Sequence, residues 1–388
     1  KRYLPDLKSL GPEAFDIQHE TTIHKIDKTV WDPLLADNGS FDWEGCRFIE
    51  ETFCDNPEPE NNWNFHYLII RDQNKKPVLA TFFSELLCKD DMIASADVSR
   101  QIEEIRKKEK YYLTSKVVMM GSLLTVGNHL YLDRGHPQWK SALLEMVTIM
   151  NDVKQQAGAS AVLLRDFDTS DTELRDILTE EGFFRSDMFT DHIIENLNWT
   201  TNDEFLQTLS AKSRTHVRKY VLPNQPLFSV KINSSIPPDK VREKFNLYKQ
   251  VKDRAFEMNT FYLPDKFFHN FNKYDSWEII ELTLNDSTSA ETMGFGICYR
   301  SPAGNYIPML VGLNYEANQM YGTYRQILFQ AVKRAADLKS KKLYFGFGAD
   351  IEKHKFGTKL VKKSAYIQSD DNYNMESLST FQQINYAK

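Results

Sequence analysis

The segment YFGFGADIEKHKFGT, residues 344–358, combines a permissive backbone with a compact group of charged side chains. His354 can titrate near neutral pH, and Lys355 can neutralise a phosphate or a developing oxyanion. Ligand crevices form beyond the carboxyl ends of sheet strands, and this segment follows a strand-like run. Glycine lets the backbone turn sharply or approach a ligand closely, and the segment contains Gly346, Gly348 and Gly357. The segment is therefore a candidate ligand site, with a surface turn carrying exposed charges as the alternative.

A second group of charges lies in SAKSRTHVRKY, residues 210–220. On a helix, Arg214 and Arg218 are four residues apart and share a face, with Lys219 beside them. Two guanidinium groups on one face repel each other unless solvent, a carboxylate or a phosphate lies between them, so the pair suits bidentate binding of an anion. A solvated basic helix face is the alternative.

A third candidate is LVGLNYEANQMYGTYRQ, residues 310–326, where a strand leads through a polar turn into a long helix. A helix N-terminus binds anions through its free N–H groups and its dipole. The side chains and backbone that would line this place are Tyr321, Gly322, Tyr324 and Arg325. The matching place in the first half holds Asn128 and His129. A turn histidine satisfied by its neighbours is the alternative for His129.

Strands and helices alternate along both halves of the chain and predict a mixed α/β protein. Residues 140–167 and 323–348 each read as an amphipathic helix, a polar turn and a buried strand, about one αβ domain apart. The order of elements agrees between the halves, so we predict two tandem copies of one fold with a junction near residues 197–202. The pattern also predicts a strand at 21–26, a helix at 238–258, a last first-half strand near 184–194 and a final strand around 364–368.

Composition and missing motifs exclude several classes of protein. The chain has 388 residues with 48 basic and 54 acidic side chains, so it lacks the basic excess of a generic nucleic-acid binder. The sequence lacks a phosphate-binding GxxxxGK[ST] loop, GxGxxG after a strand, HExxH and GxSxG. Its four cysteines are scattered, which predicts reduced thiols in a cytoplasmic protein, no metal site and no disulfide framework. No apolar run is long enough to span a membrane.

The repeated unit of strand, turn, long helix, strand, short helix and strand resembles the carboxyl half of the GNAT acetyltransferase fold. Two such units in tandem resemble the Fem-type N-acyltransferases of peptidoglycan biosynthesis. The Arg-rich helix around Arg214 and the GADIEKHKFG segment at 348–357 carry the resemblance in the second half. The single glycine of NQMYGTYRQ departs from the usual pyrophosphate loop of acetyltransferases. The resemblance implies an N-terminal extension at 1–14 and two GNAT-like domains at 15–198 and 199–388.

The resemblance also implies a reaction, in which an amine attacks an activated acyl group directly. The donor would be a coenzyme A thioester, or an aminoacyl-tRNA if the Fem likeness is literal, and the near-neutral to acidic chain argues mildly against tRNA. The acceptor would be a small amine or a peptide-like molecule, and no tightly bound cofactor is expected. Lys355 would stabilise charge and His354 would handle a proton, while Tyr321, Gly322 and Arg325 would line the path of the donor.

A degenerate fold used as a binding module is the alternative function, because the donor loop has a single glycine. Such a module would belong to a larger biosynthetic enzyme, with a partner enzyme or fused domain preceding Lys1. Within the enzyme reading, we predict that the second domain builds the ligand cleft and that Asn128 and His129 contribute at the domain junction. Lys355→Ala should then remove most acyl transfer, whereas Asp168→Ala in the acidic first half should leave donor affinity unchanged.

Overall fold

A computed structural model describes residues 15–256, 258–285 and 291–370 of the chain. The predicted extension at residues 1–14 lies outside these described residues. The strands are β1 (Asp16–Glu20), β2 (Asn64–Arg71), β3 (Pro77–Lys89), β4 (Thr114–Met120), β5 (Leu130–Leu132), β6 (Ala161–Asp168), β7 (Phe184–Asp187), β8 (Asp191–Ile194), β9 (Phe228–Asn233), β10 (Trp277–Leu284), β11 (Gly294–Arg300), β12 (Asn305–Leu313), β13 (Lys342–Gly346), β14 (Lys359–Val361) and β15 (Lys363–Ser369).

The α-helices lie between these strands in both halves. They are α1 (Lys28–Leu35), α2 (Trp43–Thr52), α3 (Ala96–Arg106), α4 (Trp139–Ala157), α5 (Thr172–Glu180), α6 (Asn202–Thr208), α7 (Ala211–Tyr220), α8 (Val241–Lys252), α9 (Lys266–Asn270), α10 (Tyr315–Tyr321), α11 (Thr323–Asp337) and α12 (Asp350–His354).

The strands form two mixed sheets with the same arrangement. The first has the order β1-β2-β3-β4-β6-β15-β7, with β5 added beside β3, and the second has the order β9-β10-β11-β12-β13-β8-β14. Helix α4 precedes β6, which runs parallel to β4, and α11 joins β12 to its parallel neighbour β13. The helix–strand units at 140–167 and 323–348 thus occupy equivalent places, as the repeat predicts.

The two sheets exchange one strand in each direction. The region near 184–194, predicted as one strand, is two strands in different sheets: β7 ends the first sheet, whereas β8 lies between β13 and β14 in the second. In return, the final strand β15 crosses from the second half and lies between β6 and β7. The division of the chain at 198/199 stays a prediction, and the two sheets share strands across it.

Two other predicted elements are wrong at their ends. The first strand is β1 and not residues 21–26, because Thr22 caps a 3-10 helix at Ile23–Lys25 and the Glu50 carboxylate accepts from the Ile23 N–H at 2.8 Å. The helix predicted at 238–258 ends at Lys252, and a loop follows it. A hydrogen bond from a distant side chain, such as that between Glu50 and the Ile23 N–H, cannot be predicted from the local pattern of hydrophobic residues.

The core runs without a break from one half to the other. Phe48 on α2 packs against the rings of Phe267 and Trp277 in the second half, at centroid distances of 5.4 and 4.5 Å. The buried Asp42 carboxylate accepts a hydrogen bond of 2.6 Å from the Tyr299 hydroxyl. This burial of aromatic rings fixes the two sheets relative to each other.

Candidate active site

Strands β12 and β13 separate after a short parallel contact and leave a groove in the second sheet. They pair only at Asn305 with Lys342 and at Tyr306 with Leu343. Pro308 follows and has no N–H to donate. On the other side of β12 the register with β11 shifts by one residue at Met309, which is a β-bulge. The proline and the bulge together explain why the ladder stops at this point.

The groove consists of two adjoining cavities of about 290 and 380 Å³. Both are lined by the diverging strand ends, from Pro308 to Val311 on one side and by Phe345, Phe347 and Gly348 on the other. Helix α8 packs on β12 and lines the groove with Val251, and Ala255 of the loop that follows α8 lines it as well. The walls are therefore mostly apolar, and the edge of β12 beyond Tyr306 is not paired with β13, so it is available to a ligand that carries amide or ester groups.

Lys353 on α12 is hydrogen-bonded to the end of β13. Its side chain is buried, and its Nζ donates to the carbonyl of Phe345 at 2.9 Å, to that of Gly346 at 3.3 Å and to that of Phe347. These carbonyls would otherwise lack partners beyond the end of the ladder. Sequence analysis missed this residue, because nothing in the charged segment IEKHK distinguishes a buried lysine from an exposed one.

The equivalent place in the first sheet is closed by Arg165. Strands β4 and β6 pair from Val117 to Met119, and the guanidinium group of Arg165 spans the gap beyond. It donates to the carbonyls of Ser122 and Thr125, both at 2.9 Å, and to the Asp166 carboxylate at 2.9 Å. Arg165 is 1% exposed, so no space for a donor remains at this position.

His129 belongs to this closed place and not to a ligand surface. Its ring stacks on Phe41 at 4.7 Å, and its Nε2 lies 2.9 Å from the Thr125 hydroxyl. Burial, with the charge of Arg165, holds the pKa of His129 well below its usual value. The neighbouring Asn128 is exposed, and its amide oxygen accepts from the Leu130 N–H at 3.2 Å. The buried Nδ1 of His129 makes no hydrogen bond within the described part of the chain and lies 3.4 Å from the Asp166 carboxylate, so the protein satisfies only one of the two ring nitrogens.

Only part of the predicted donor set lines the groove. Gly346, Gly348 and Tyr324 lie in its wall. Both glycines have a positive φ, of 64° and 73°, as their predicted permissive role requires. Gly357 also has a positive φ, of 82°, but a Cβ there would lie 2.9 Å from a methyl group of Leu209, so this glycine serves packing.

Other predicted residues gather beside the groove around an ion pair. Arg325 at the start of α11 binds Glu352 of α12 through two hydrogen bonds of 2.9 Å. Glu352 also lies 3.7 Å from His216. The hydrogen bonds from Arg325 hold the pKa of Glu352 below its usual value, and the charge of Lys355 adds to that shift. The pKa of His216 is lowered as well, mostly by burial and with a contribution from Lys355. Lys355 is half-buried here and His354 is exposed, and their catalytic roles stay predictions.

The turn between α10 and α11 lies next to this cluster. Gly322 ends α10 with a φ of 67°, and the Tyr321 carbonyl accepts from the Asn224 side chain at 2.9 Å. The Tyr324 N–H, one of the free donors at the start of α11, bonds to the Asn318 side chain at 2.9 Å. Part of the anion-binding capacity of this helix end is therefore used internally.

The predicted arginine pair on α7 is split by the structure. Arg214 turns back and donates to the carbonyls of Leu206 and Leu209, at 2.9 and 3.2 Å, where it closes the end of α6. Arg218 and Lys219 are exposed on the same helix. The guanidinium group of Arg214 is therefore bonded to backbone carbonyls, and anion binding by the other two stays a prediction.

Lys252, at the end of α8, is a further ionisable group in the groove wall that sequence analysis missed. Lys252 is half-buried. The loss of hydration at its amine, reinforced by the nearby charge of Lys89, lowers the pKa of this lysine to about 7. An amine with such a pKa exchanges a proton readily at neutral pH. The sequence signal is absent, because a lysine at the end of a helix is ordinarily a solvated group that interacts with the helix dipole.

Metal and membrane features are not found within the described residues. No group of three or more His, Cys, Asp or Glu side chains is placed to hold a metal ion there. None of the helices in the same part of the chain is both long and apolar enough to cross a bilayer. Cys46, Cys54, Cys88 and Cys298 are not joined by disulfide bonds in this structure.

Comparison with known proteins identifies the family. Residues 22–302, more than half of the chain, match the FemAB-like family model, which is described as peptidoglycan biosynthesis/recognition. The chain belongs to the FemAB-like family. This confirms the Fem-type resemblance seen in the sequence. The sequence has no significant match among curated proteins.

Solved structures show the fold. The crystal structure of FemX matches with a TM-score of 0.58 at 11% identity, over 92% of this chain and 99% of that one. A tandem GNAT protein from the clavulanic acid biosynthesis pathway matches with a TM-score of 0.49 at 8% identity, over 91% and 98%. L-PGS from Bacillus licheniformis matches with a TM-score of 0.44 at 12% identity, over 69% and 85%. The predicted mixed α/β fold of two GNAT-like units in tandem is confirmed, and the family supports transfer of acyl or aminoacyl groups.

Proposed function

We propose that this FemAB-like chain is an N-acyltransferase whose donor lies in the groove between β12 and β13. The observation that carries this proposal is the contrast between two equivalent places. The second sheet opens beyond Tyr306 and Leu343, whereas Arg165 fills the same position in the first. One donor site in the second half is therefore the arrangement that the geometry supports, in line with the predicted active half.

The groove suits direct attack by an amine on an activated acyl group. Its apolar walls exclude water, which would otherwise hydrolyse the donor. The free edge of β12 beyond Pro308 offers backbone donors to the acyl carbonyl, and the ammonium group of Lys353 adds a fixed positive charge at the end of β13. Holding donor and acceptor together supplies much of the rate enhancement in such a reaction.

Family membership changes which of the two donors is favoured, the coenzyme A thioester or the aminoacyl-tRNA. FemAB-like enzymes use aminoacyl-tRNA, so family membership does not support the predicted coenzyme A thioester. The net charge of the chain is −6, but Arg218 and Lys219 are exposed near the start of α11 and can contact phosphates locally. We therefore propose an aminoacyl-tRNA as donor and an amine of a peptidoglycan precursor as acceptor.

A transfer assay with a blocked groove tests the proposal. The wild type is incubated with radiolabelled aminoacyl-tRNAs or acetyl-CoA and an amine-bearing cell-wall peptide precursor, and labelled product is measured. Leu310→Trp places an indole in both cavities of the groove and should abolish transfer. The matched control, Leu338→Trp, lies at the far end of α11, where Leu338 is already 36% exposed, and should leave transfer unchanged.

The outcomes distinguish an aminoacyl-tRNA donor, a coenzyme A thioester donor and a binding module without activity. Product from aminoacyl-tRNA that Leu310→Trp alone removes supports the proposed donor and its place. Product from acetyl-CoA alone would restore the predicted thioester donor and refute aminoacyl-tRNA. If no donor gives product with the wild type, the chain is the binding module that the single-glycine donor loop suggests, and the enzymatic proposal is wrong.

A further inference from the structure

A further cavity of about 410 Å³, here named the charged cavity, adjoins the groove at the contact between the two halves. One wall is α3 of the first half, with Glu103 and Arg106, and the other is the loop after α8, with Asn259 and Tyr262. Its lining includes both basic and acidic side chains as well as aromatic rings. This mixture contrasts with the apolar groove beside it, so the two spaces suit different parts of a reaction.

A buried network of hydrogen bonds holds the charged cavity in shape. Lys89 Nζ donates to Glu103 at 2.7 Å and to the Asn259 amide oxygen at 3.3 Å. The Asn259 amide nitrogen donates to Asp91 at 2.8 Å and to Glu103 at 2.9 Å. Arg106 donates to Asp91 at 2.6 Å. Because these bonds join residues of both halves, the cavity exists before any ligand binds.

Among the residues that the structure describes, Lys252 and Thr260 line both the groove and the charged cavity. Among the described residues, none makes a hydrogen bond or ion pair with the Lys252 amine. The charged groups that act on it from the surrounding elements are Lys89, Asp91, Glu103 and Asp253. Burial outweighs the three carboxylates, so the pKa of Lys252 falls to about 7 and much of the amine is unprotonated at neutral pH.

We propose that the charged cavity receives the acceptor and that Lys252 takes the proton from its attacking amine. The proposal rests on the proposed acyl transfer and names a catalytic residue for it. The acceptor class that fits is a primary amine borne by a molecule with its own acidic groups, because the cavity lining carries both signs of charge. Lys252 stands where such an amine meets an acyl group that lies in the groove.

The step balances without any further reactant. The neutral acceptor amine attacks the acyl carbon, the new C–N bond forms, and the carbonyl electron pair moves to oxygen. The nitrogen then carries a positive charge and gives one proton to the lone pair of Lys252 Nζ. When the oxyanion collapses, the bond from the acyl carbon to the donor oxygen breaks, and the Lys252 ammonium returns the proton to that leaving oxygen.

Neighbouring groups are less suited to this role. The Lys89 amine donates hydrogen bonds to Glu103 and Asn259. The Lys353 amine donates to the three carbonyls at the end of β13. Neither amine is therefore available to take a proton from the acceptor. His354, the predicted proton-handling residue, is exposed and is not part of the described lining of either cavity. Lys252 alone combines the junction position with an amine that loses its proton near neutral pH.

The test measures kcat and its pH profile for the wild type, Lys252→Met and Lys252→Arg with aminoacyl-tRNA donors. In the wild type, kcat should rise with pH and level off above about pH 7, because only the neutral amine accepts a proton. Both variants should lose about 100-fold or more in kcat, with little change in the KM for the donor. The arginine variant keeps the positive charge, so its loss separates proton transfer from simple charge stabilisation.

Arg242→Met is the matched control, because Arg242 is an exposed basic residue on the same helix and lines neither cavity. It should leave kcat and the pH profile unchanged. Thermal unfolding should show Lys252→Met at least as stable as the wild type, since the variant no longer buries an amine. Full activity of Lys252→Arg, or an unchanged pH profile in Lys252→Met, overturns the role of Lys252 while leaving the groove intact. Absence of transfer by the wild type overturns both proposals.

Discussion

Arg165 gives a quantitative test of why the first half is closed. Arg165→Met keeps an unbranched apolar side chain but removes three hydrogen bonds of 2.9 Å, to Asp166 and to the carbonyls of Ser122 and Thr125. Asp166 is 1% exposed, so its carboxylate stays buried without a cation. Removing one partner of a buried ion pair costs about 3–5 kcal/mol. That is a large part of the roughly 5–15 kcal/mol by which proteins are stable.

The free energy of unfolding is measured by urea denaturation, followed by circular dichroism. The control is Arg175→Met, which breaks an exposed pair with Asp176, where the two side chains are 40% and 63% exposed. This change should cost at most about 0.5 kcal/mol. If Arg165→Met loses a free energy of unfolding within about 1 kcal/mol of the loss in Arg175→Met, the reasoning is refuted. The buried ion pair would then contribute no more to stability than the exposed one.

The pH dependence of the same variant has a defined sign. Burial raises the pKa of Asp166, and Arg165 opposes that shift. Without Arg165 the folded variant holds a proton that the unfolded chain releases above its ordinary pKa of about 4, so its stability falls as pH rises. Asp166→Asn, which tolerates the local φ of 68°, removes the buried charge. The double variant should therefore lose less free energy of unfolding than Arg165→Met and Asp166→Asn lose together as single variants.

The remaining predictions concern the groove, a histidine and a glycine. Lys353→Met should lower acyl transfer by about ten-fold or more, because the end of β13 loses its hydrogen bonds to the lysine. Lys355→Ala should remove most acyl transfer, and full transfer by this variant would show that the predicted role of Lys355 is wrong. His129 should not titrate between about pH 6 and 8 in an NMR experiment, and its contribution to stability should be lost as pH falls below about 6.5, where the unfolded histidine takes up a proton. Gly357→Ala should cost about 1–2 kcal/mol more than Gly158→Ala in urea denaturation, because both have a positive φ but only Gly357 has a neighbour within 3 Å of the new Cβ.

Local sequence determined the elements and their repetition. Amphipathic period, apolar runs and glycines predicted α4, α11 and the strands that follow them, because these signals act within a few residues. The repeated order then predicted two tandem units, and the Gly-rich segment after β13 marked the half that holds the groove. Gly346 and Gly348 line that groove with a positive φ, which is a local property of the backbone, and their binding of a donor stays a prediction.

Only the tertiary structure decided which neighbours these elements meet. The exchange of β8 and β15 between the sheets follows from hydrogen bonds to strands far away in sequence, and nothing in either strand's own residues reports its partner. The same reason explains the errors at side chains. Arg214, His129 and Arg325 look free to bind an anion until the fold supplies carbonyls, an aromatic stack and Glu352. Conversely, Lys353 and Lys252 read as ordinary surface lysines, because burial, which gives them their special positions, is a property of the whole fold.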